Sequence, residues 1–546
     1  RAGSGKTTAI LREIAALSEK GEGRQILLVP ELNSHLMERR LAAATHNHGA
    51  RTAEVLTFSR LADRVFSEVG GLAQQMLTPA GQLLTLQEAA RRVQGGLSAW
   101  KGLADKPELL QEALRLIDEC KTCAVAPETL FAAAEESEDA VLAEKLSDLA
   151  QILTAYERLC EESLPDPRDR LTYLHDRLAE SHTLDGAAVY LDGFLGFTVQ
   201  ESAVVDAMLA AGVPLSAAVT CDTDYPEIFL TGCKTVQKLT RMAKHHNQTV
   251  ERIELGESKV ARPAGLAALE RESLLPVRTP QESADGVRLY EAASPFDECE
   301  HAAAYIRRKV RDEGARCRDF VVAARDIEPY SAFLAMAMAR YDIPVFLAEK
   351  PDLLSRPPMA LVTNALEAVR NHFRYEDLFS CLKTGLAGLD WDEIDKLENY
   401  VLTWNIRGGA WEREWTEHPD GYGLSIDENA KAQLAELNTL RKRAIAPFSA
   451  LREALAGEQP AGDCVRALYA FLLAVDAPQR MTDRAAGHEQ AGRLQLADEY
   501  RQLWEILVSA MEQFAWVCDD MPLTLDRFAQ LFRLVLGEYD VGTIPV

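Results

Sequence analysis

The first residues of the chain form a glycine-rich segment that runs directly into a helical pattern. Positions 1–8 read RAGSGKTT and are followed by AILREI, with apolar residues at helical spacing. The GKT at positions 5–7 matches the end of the phosphate-binding loop motif G-x-x-x-x-G-K-[ST]. Backbone N–H groups of such a loop surround phosphate oxygens, and the positive end of the following helix dipole faces them. The motif predicts a nucleotide-binding α/β fold, the alternative being a glycine-rich turn that matches by chance.

The motif also assigns roles to individual side chains. We expect Lys6 to reach the β- and γ-phosphates of ATP and the Thr7 hydroxyl to ligate Mg²⁺. The first glycine of the motif and the strand before it would precede Arg1, so we expect the chain to be a fragment of a longer protein. The loop residues expected to contact the nucleotide are Gly3, Ser4, Gly5, Lys6, Thr7 and Thr8.

Apolar runs and helical patterns alternate along the chain after this motif. Short apolar runs are typical of buried parallel strands, and their alternation with helices indicates a doubly wound α/β sheet. A stretch with helical patterns only, 77–183, interrupts the alternation and is interpreted as a helical insertion. The strands are expected at 25–30, 54–58, 187–192 and 214–220, with helices at 34–44, after Ser59 as N-cap, at 107–120, at 140–161 and from about 200.

The same plan is repeated in the second half of the chain. Strands are expected at 287–292, 320–324 and 343–347, and helices at 298–313 and 327–341. The rest, to about 539, reads almost wholly as helix and contains six of the seven tryptophans. The predicted organisation is a first lobe at 1–76 and 184–262, its insertion at 77–183, a linker at 263–285, a second lobe at 286–374 and 541–546, and its insertion at 375–540.

The balance of charged residues limits the partners of the chain. There are 59 basic and 84 acidic residues, a net charge of −25, which counts against a protein that coats nucleic acid non-specifically. A narrow basic channel in an acidic body is still compatible with that number. No apolar run approaches the roughly 20 residues that span a bilayer, so we expect no association with a membrane.

Cysteine usage indicates a reducing compartment. The ten cysteines are scattered through the chain, as in proteins of the cytoplasm, where we expect this protein to reside. Cys120 and Cys123 form a C-x₂-C pair, but neither a second such pair nor a nearby histidine pair accompanies it. A zinc site is therefore not expected, and both cysteines are interpreted as small apolar residues of a helix.

Several short words of the sequence resemble a known family. LTFSRLA at 56–62 is similar to the segment of UvrD-type superfamily 1 DNA helicases that touches single-stranded DNA, and PFDECEHA at 295–302 with DFVVAAR at 319–325 is similar to the start of their second motor lobe. A narrower resemblance, over essentially the whole chain, is to the AddB family, subunits of the bacterial AddAB helicase–nuclease. It is carried by LVPE at 28–31, FSRLA at 58–62, YLDGF at 190–194, FTVQE at 197–201, IPVF at 343–346 and LLSRP at 353–357.

The resemblance implies both a fold and a function. The implied fold is α/β, with two RecA-like parallel-sheet lobes that are each interrupted by a mostly helical insertion. The implied function is the processing of DNA ends at double-strand breaks, with an AddA-like partner subunit and with single-stranded DNA scanned for the Chi sequence. Family members also carry an exonuclease domain braced by a four-cysteine iron–sulfur cluster, which we expect only beyond residue 546.

The end of the strand at 187–192 departs from the pattern of motor enzymes. The resemblance makes Asp192 a Mg²⁺ ligand, and motor ATPases follow this Asp with a Glu that orients the attacking water. Here Gly193 follows it, and Leu195 stands where helicases have Gln. Losing such a base costs on the order of 10²–10⁴ in rate. We therefore expect ATP binding with weak or no hydrolysis, the alternative being that Asp192 only caps the next turn.

Candidate DNA contacts lie where the predicted strands end, since open α/β sheets bind ligands at the carboxyl ends of their strands. Aromatic rings near an arginine suit single strands, whose bases stack on the rings. A lone phenylalanine is more often a core residue, and that interpretation stays open for Phe58 and Phe194. The residues expected at the DNA interface are Glu31, Leu32, Ser34, Thr57, Phe58, Arg60, Phe194 and Phe197.

Other interpretations stay open at this point. Trp391, Trp404, Trp411 and Trp415 lie close together in the sequence and are interpreted as a helical core rather than as a stacking platform for DNA. Two other functions are an active superfamily 1 helicase and a P-loop enzyme unrelated to DNA, such as a small-molecule kinase. Turnover of ATP stimulated by single-stranded DNA would indicate the first of these.

Overall fold

The computed structural model describes residues 3–46, 52–71, 75–222, 225–255, 261–272, 283–347 and 353–539. The chain divides into two compact units that are each assembled from separate stretches. The first consists of Arg1–Met76, Arg115–Ala150 and Leu164–Tyr290, and the second of Leu77–Leu114, Gln151–Ser163 and Glu291–Val546. The residues between 77 and 183, predicted as one insertion, are thus divided between the two units.

The helices and strands follow in chain order. Up to residue 290 they are α1 (Lys6–Lys20), β1 (Arg24–Leu28), α2 (Ser34–Ala44), β2 (Ala53–Leu56), α3 (Phe58–Val69), α4 (Pro79–Val93), α5 (Pro107–Thr122), α6 (Pro127–Glu136), α7 (Ala140–Glu162), α8 (Arg170–Arg177), β3 (Ala187–Asp192), α9 (Val199–Ala210), β4 (Leu215–Ala218), α10 (Leu230–His245) and α11 (Ala264–Glu272). Thereafter they are α12 (Pro295–Glu313), α13 (Glu328–Arg340), α14 (Pro357–Arg370), α15 (Tyr375–Leu382), α16 (Trp391–Trp404), α17 (Glu428–Ala454), β5 (Glu458–Pro460), α18 (Ala461–Ala474), α19 (Ala477–Gln490), α20 (Leu494–Cys518), β6 (Pro522–Thr524) and α21 (Leu525–Gly537).

The first unit is built on a four-stranded parallel sheet with the strand order β2-β1-β3-β4. Leu28 lies opposite Leu56 of β2 and Leu191 of β3, and Asp192 lies opposite Ala218 of β4. The four strands predicted in this part of the sequence are thereby confirmed. Because their registers match, the carboxyl ends of all four strands meet at one edge of the sheet, which we call the carboxyl edge.

Both faces of this sheet are buried, as expected for parallel strands covered by helices. Successive side chains of a strand point to opposite faces. Ile26 and Leu28 therefore belong to a core shared with α3, α8 and α9, whereas Leu27 and Val29 belong to the core shared with α1 and α2. The continuous apolar run of β1 is explained by this two-sided burial.

Two helix starts at the carboxyl edge differ in how well the sequence predicted them. Ser59 was expected to cap α3, but the cap is Thr57, whose hydroxyl accepts the N–H of Arg60 at 3.2 Å. The Ser59 prediction is wrong because Thr57, two residues earlier, already has the extended backbone that a cap needs. Helix α9 begins with a capping box in which Thr198 and Glu201 each pair with the backbone of the other.

The second predicted sheet does not form among the described residues. Helices α12 and α13 pack together through residues such as Ala303, Leu334 and Met338. The segments 287–292, 320–324 and 343–347 carry no strand pairing, and Val321 is 90% exposed. These three strand predictions are wrong because an apolar run indicates burial, while a strand also needs a neighbour to pair its N–H and C=O groups. The strand expected at 541–546 lies outside the described residues.

The rest of the second unit is almost wholly helical, as predicted. Trp411 and Trp415 are buried, which confirms the core interpretation for them, whereas Trp391 is more than half exposed. A short antiparallel pair of strands, β5 with β6, joins the ends of two helical segments.

Three smaller predictions concern the linker, the cysteine pair and the membrane. The segment predicted as a linker, 263–285, contains α11 among its described residues. Cys120 is buried within α5, and Cys123 follows the end of that helix and is exposed. Within the described ranges, no helix is both long and apolar enough to cross a membrane.

Candidate nucleotide site

Two glycines shape the turn that precedes α1. Gly3 has φ 74° and Gly5 has φ 90°, a left-handed conformation that side chains with a Cβ disfavour. Gly5 is the N-cap of α1, and its carbonyl accepts the N–H of Ala9 at 2.9 Å. The first turn of α1 contains no acidic residue. The turn therefore directs backbone N–H groups and the positive helix end toward one place, as an anion-binding loop requires.

A side chain of this turn meets the end of β3. The Thr7 hydroxyl donates to Asp192 Oδ2 at 2.7 Å, across 185 positions of sequence. Asp192 is only 5% exposed, and its own position is set by the pairing of β3 with β4. The two predicted Mg²⁺ ligands are thus brought together, and oxygen ligands of this kind are those that Mg²⁺ prefers.

The remaining ligands of a metal ion here would have to come from elsewhere. Among the residues that the structure describes, no group of three or more His, Cys, Asp or Glu side chains is arranged for a metal ion. Mg²⁺ in phosphate sites usually keeps several waters and takes substrate phosphate oxygens as further ligands. The pair of Thr7 and Asp192 therefore suits a metal that arrives with a phosphate, not a metal held by protein alone.

Lys6, the first residue of α1, is partly buried. Burial lowers the pKa of its ammonium group below the ordinary value, and the nearby charge of Asp192 opposes that effect in part. A bound phosphate would favour the charged form of Lys6 in the same way as Asp192 does. The site is therefore electrostatically incomplete in a way that an anion would relieve.

The residue after Asp192 is held in a conformation that suits glycine. Gly193 has φ +87°, and a Cβ placed on it would lie 3.2 Å from Asn33 Nδ2 and 3.3 Å from Pro30 Cδ. A glutamate at this position would combine left-handed backbone strain with crowding against the loop after β1. The place where motor enzymes carry their water-orienting Glu is thus shaped here around the absence of a side chain.

Phe58, Thr57, Phe194 and Phe197 surround the start of α3. Phe58 is 5% exposed and lies in the core, with its ring 5.7 Å from that of Phe194 in an edge-to-face arrangement. The rings of Phe194 and Phe197 are 5.0 Å apart and pack against the same core while partly exposed. Thr57 is buried as the helix cap. The core interpretation left open for Phe58 describes its position, and Phe194 and Phe197 offer only part of their rings.

The exposed side chains of the carboxyl edge are aliphatic and charged. Leu32 is 99% exposed and Leu195 is 72% exposed, on the two loops that approach each other at Gly193. Glu31 is exposed and Ser34 is half-buried at the start of α2. Arg60 is exposed but its guanidinium donates to Glu38 Oε1 at 2.5 Å.

Sequence reasoning missed three residues that belong to this edge. Leu195 was considered only for the Gln that it replaces, although it is the more exposed neighbour of Phe194. Asn33 was missed because its proximity to Gly193 depends on the tertiary fold. Glu38 lies one turn into α2, and the adjacency of β1 and β2 could have indicated that it faces Arg60.

Comparisons with known proteins agree with the arrangement of the first unit. Residues 1–270 match the family described as ADDB, N-terminal. Over its full length the chain is 32% identical to an ATP-dependent helicase/deoxyribonuclease subunit of Acetivibrio thermocellus, of which it covers 49%.

The chain belongs to the AddB family. A relative of the same name from Clostridioides difficile is 29% identical over 100% of this chain and 49% of its own length, and one from Thermoanaerobacter sp. is 30% identical with the same coverage. The chain thus spans about half the length of the curated AddB-family relatives that it matches.

Proposed function

We propose that the chain is the helicase-like part of a bacterial DNA-end-processing protein that binds ATP with Mg²⁺ and hydrolyses it weakly or not at all. The observation that carries this proposal is the contact of Thr7 with Asp192, followed directly by Gly193 in its left-handed conformation. The pair supports metal–phosphate binding, and the glycine leaves no carboxylate to orient a water. The relatives named as ATP-dependent helicase/deoxyribonuclease subunits support a role in DNA processing.

In this proposal each part of the site has a separate task. Backbone N–H groups of Gly3, Ser4, Gly5 and Thr8 surround the phosphates, and Lys6 neutralises their charge. Thr7 and Asp192 hold the Mg²⁺ that accompanies ATP. In-line attack on a γ-phosphate depends almost entirely on positioning and charge stabilisation, so a site without a positioned water binds the nucleotide without efficient turnover.

Single-stranded DNA is proposed to pass along the carboxyl edge and to be scanned for Chi. Leu32 and Leu195 supply exposed apolar contacts for bases, Phe194 and Phe197 supply ring edges, and Arg60 supplies a phosphate contact. Arg60 must first exchange Glu38 for a phosphate. Because Glu38 competes with the DNA, we expect it to weaken non-specific binding.

The proposal extends to parts of the protein that the relatives' names imply. These are an AddA-like partner subunit in the cytoplasm, an exonuclease domain with an iron–sulfur cluster outside this chain, and a second RecA-like lobe at 286–374. Helices α12 and α13 with their buried contact support the last of these.

The nucleotide part is tested by separating binding from turnover. The affinity of the protein for a fluorescent ATP analogue and the release of phosphate in the presence of single-stranded DNA are measured for the wild type and for Lys6→Ala. Lys20→Ala, an exposed substitution at the far end of α1, is the matched control.

Binding that is lost in Lys6→Ala, kept in Lys20→Ala and accompanied by negligible turnover is the expected result. Turnover that depends on Lys6 and rises with single-stranded DNA would instead make the chain an active superfamily 1 motor. Absence of nucleotide and oligonucleotide binding in the wild type would contradict the proposal altogether.

The DNA part is tested with arginines on one helix. Arg60 and Arg64 both lie on α3, and Arg64 donates to Glu54 on β2, away from the carboxyl edge. Anisotropy of a labelled oligothymidylate should show a several-fold loss of affinity for Arg60→Ala, a gain for Glu38→Gln and no change for Arg64→Ala. Equal losses for both arginine variants would place the DNA elsewhere.

A further inference from the structure

Two cysteine sulfurs lie in contact in the first unit. Cys221 follows β4 and Cys233 lies in the first turn of α10, and their Sγ atoms are 2.7 Å apart. A disulfide bond has an S–S distance of about 2.04 Å, so the two sulfurs are within a small side-chain movement of bonding distance. Both residues are partly exposed, and both are free thiols in this structure.

The backbone around the two cysteines is held in place from both sides. A Cβ placed on Gly232 would overlap the carbonyl oxygen of Thr220, so the start of α10 rests directly on the segment after β4. Thr235, on the next turn, donates to the carbonyl of Leu195 at 3.1 Å. Because close packing fixes the two segments, approach of the sulfurs requires no rearrangement of the backbone.

We propose that Cys221 and Cys233 are an oxidation site that forms a reversible intramolecular disulfide with a peroxide as the oxidant. A thiolate of the pair attacks one peroxide oxygen, which breaks the O–O bond, forms a sulfenic acid and releases hydroxide. The second thiolate then attacks the sulfenic sulfur, forms the S–S bond and expels the oxygen as hydroxide. With hydrogen peroxide the balance is two thiols and one peroxide converted to one disulfide and two waters.

The disulfide would connect two parts of the carboxyl edge that are now joined only by packing. Cys221 lies three residues after Ala218, the partner of Asp192 in the sheet, and α10 contacts the loop after Asp192 through Thr235. Oxidation would therefore restrain α10 against both loops. This inference does not depend on the proposed function, since it concerns only the thiols and their surroundings.

Reactivity of the pair is limited by the surroundings of Cys221. Burial, with the Cys233 thiol and the charge of Asp222 adding to it, raises the pKa of Cys221 to about 11, against the smaller opposing effect of Arg252. Thiolates, not thiols, attack peroxides. We therefore expect oxidation to be slow at neutral pH.

The test uses hydrogen peroxide on the native protein followed by alkylation of the remaining thiols and mass spectrometry. The expected product has lost two alkylatable thiols and yields a peptide pair cross-linked between Cys221 and Cys233 that dithiothreitol separates. Hydrogen exchange of 219–222 and 230–235 should slow in the oxidised protein and recover on reduction.

Variants separate this site from general oxidation. Cys221→Ser should leave Cys233 as a sulfenic acid that a dimedone probe captures, with no cross-link, and Cys123→Ser, at an exposed cysteine, should leave the cross-link unchanged. Full alkylation of Cys221 and Cys233 after peroxide treatment, or their conversion to higher oxides without a cross-link, would overturn the proposal. Since the wild-type protein supplies the main result, poor folding of a variant does not remove the test.

Discussion

Two neighbouring residues at the end of β3 determine what the candidate site can do. Asp192 accepts the hydrogen bond of Thr7 and completes a pair of oxygen ligands. Gly193 has a backbone conformation and surroundings that exclude a longer side chain without rearrangement. A carboxylate that binds metal and a position that cannot easily hold a second carboxylate separate nucleotide binding from hydrolysis.

Restoring a glutamate should therefore not restore a motor. We expect Gly193→Glu to lower the free energy of unfolding by about 1–2 kcal/mol for the left-handed backbone alone, plus the cost of crowding at Asn33, and to add no ATP turnover. Urea unfolding and phosphate release measure the two effects.

A second glycine separates strain from crowding in this experiment. Gly186 also has positive φ, but a Cβ on it would meet nothing within 4 Å. Gly186→Ala should therefore cost less than Gly193→Ala. Strong Lys6-dependent turnover in Gly193→Glu would show that the glycine is what keeps the site from hydrolysing ATP, contrary to the geometric argument.

Lys6 makes nucleotide affinity depend on pH. Burial lowers its folded-state pKa below the unfolded value of 10.5, so between these two values the unfolded chain binds more protons and stability rises with pH. Nucleotide binding has the opposite trend, because phosphate needs the charged ammonium. We expect affinity to fall as pH rises into this window below 10.5, and to fall less in Lys6→Arg, whose guanidinium stays charged. Titration with a fluorescent ATP analogue measures both.

At the scale of elements, the tryptophan-rich part of the second unit is held by one polar side chain. Asn438 of α17 accepts the N–H of Trp415 at 2.9 Å and donates to the carbonyl of Trp415 at 2.9 Å. The Trp415 ring stacks on Tyr400 of α16 with centroids 4.6 Å apart. An irregular segment is thus tied to two helices where it is buried and cannot satisfy its backbone with water.

Removing this amide should be costly. Asn438→Ala leaves the buried N–H and C=O of Trp415 without these partners, and we expect the free energy of unfolding to fall by about 2–4 kcal/mol. Thr439→Ala, at the exposed neighbouring position, should change it by less than about 0.5 kcal/mol. Tryptophan fluorescence in urea reports the transition, since Trp100 and the six tryptophans from 391 to 516 all lie in the second unit. Equal effects of both variants would show that the amide contributes nothing.

At the scale of the whole molecule, the net charge of −25 opposes any extended contact with DNA. Arg60, the basic side chain proposed to contact phosphate, is itself paired with an acid. A narrow contact of few phosphates on a strongly acidic body is the arrangement compatible with both facts. Such a surface favours a guided single strand over a coated duplex.

The salt dependence of DNA binding measures this directly. For single strands the logarithm of the binding constant falls with the logarithm of salt by about 0.7 for each phosphate contact. We expect a shallow slope for oligothymidylate, reduced by about 0.7 in Arg60→Ala and unchanged in Arg64→Ala, and weak duplex binding. A steep slope of the same size for duplex and single strand would contradict a narrow contact.

The first sheet and the nucleotide loop were predictable because their signals are local. The apolar run of β1 and the run ending in Asp192 lie on strands that are buried on both faces, so length and composition alone indicated them. The glycines of the loop have positive φ, which is the property that the motif encodes. The segments at 287–292, 320–324 and 343–347 have the same apolar pattern and no strand partner among the described residues.

What the sequence determined by itself is the chemistry available at each point: a phosphate loop, a carboxylate at a strand end, and a glycine where a base would stand. Only the tertiary structure decided which of these side chains meet. Thr7 contacts Asp192 across 185 positions, Phe58 is buried instead of exposed, and Cys221 touches Cys233. The physical reason is that periodicity reports which face of an element is buried, whereas contacts and exposure depend on elements that are distant in the chain.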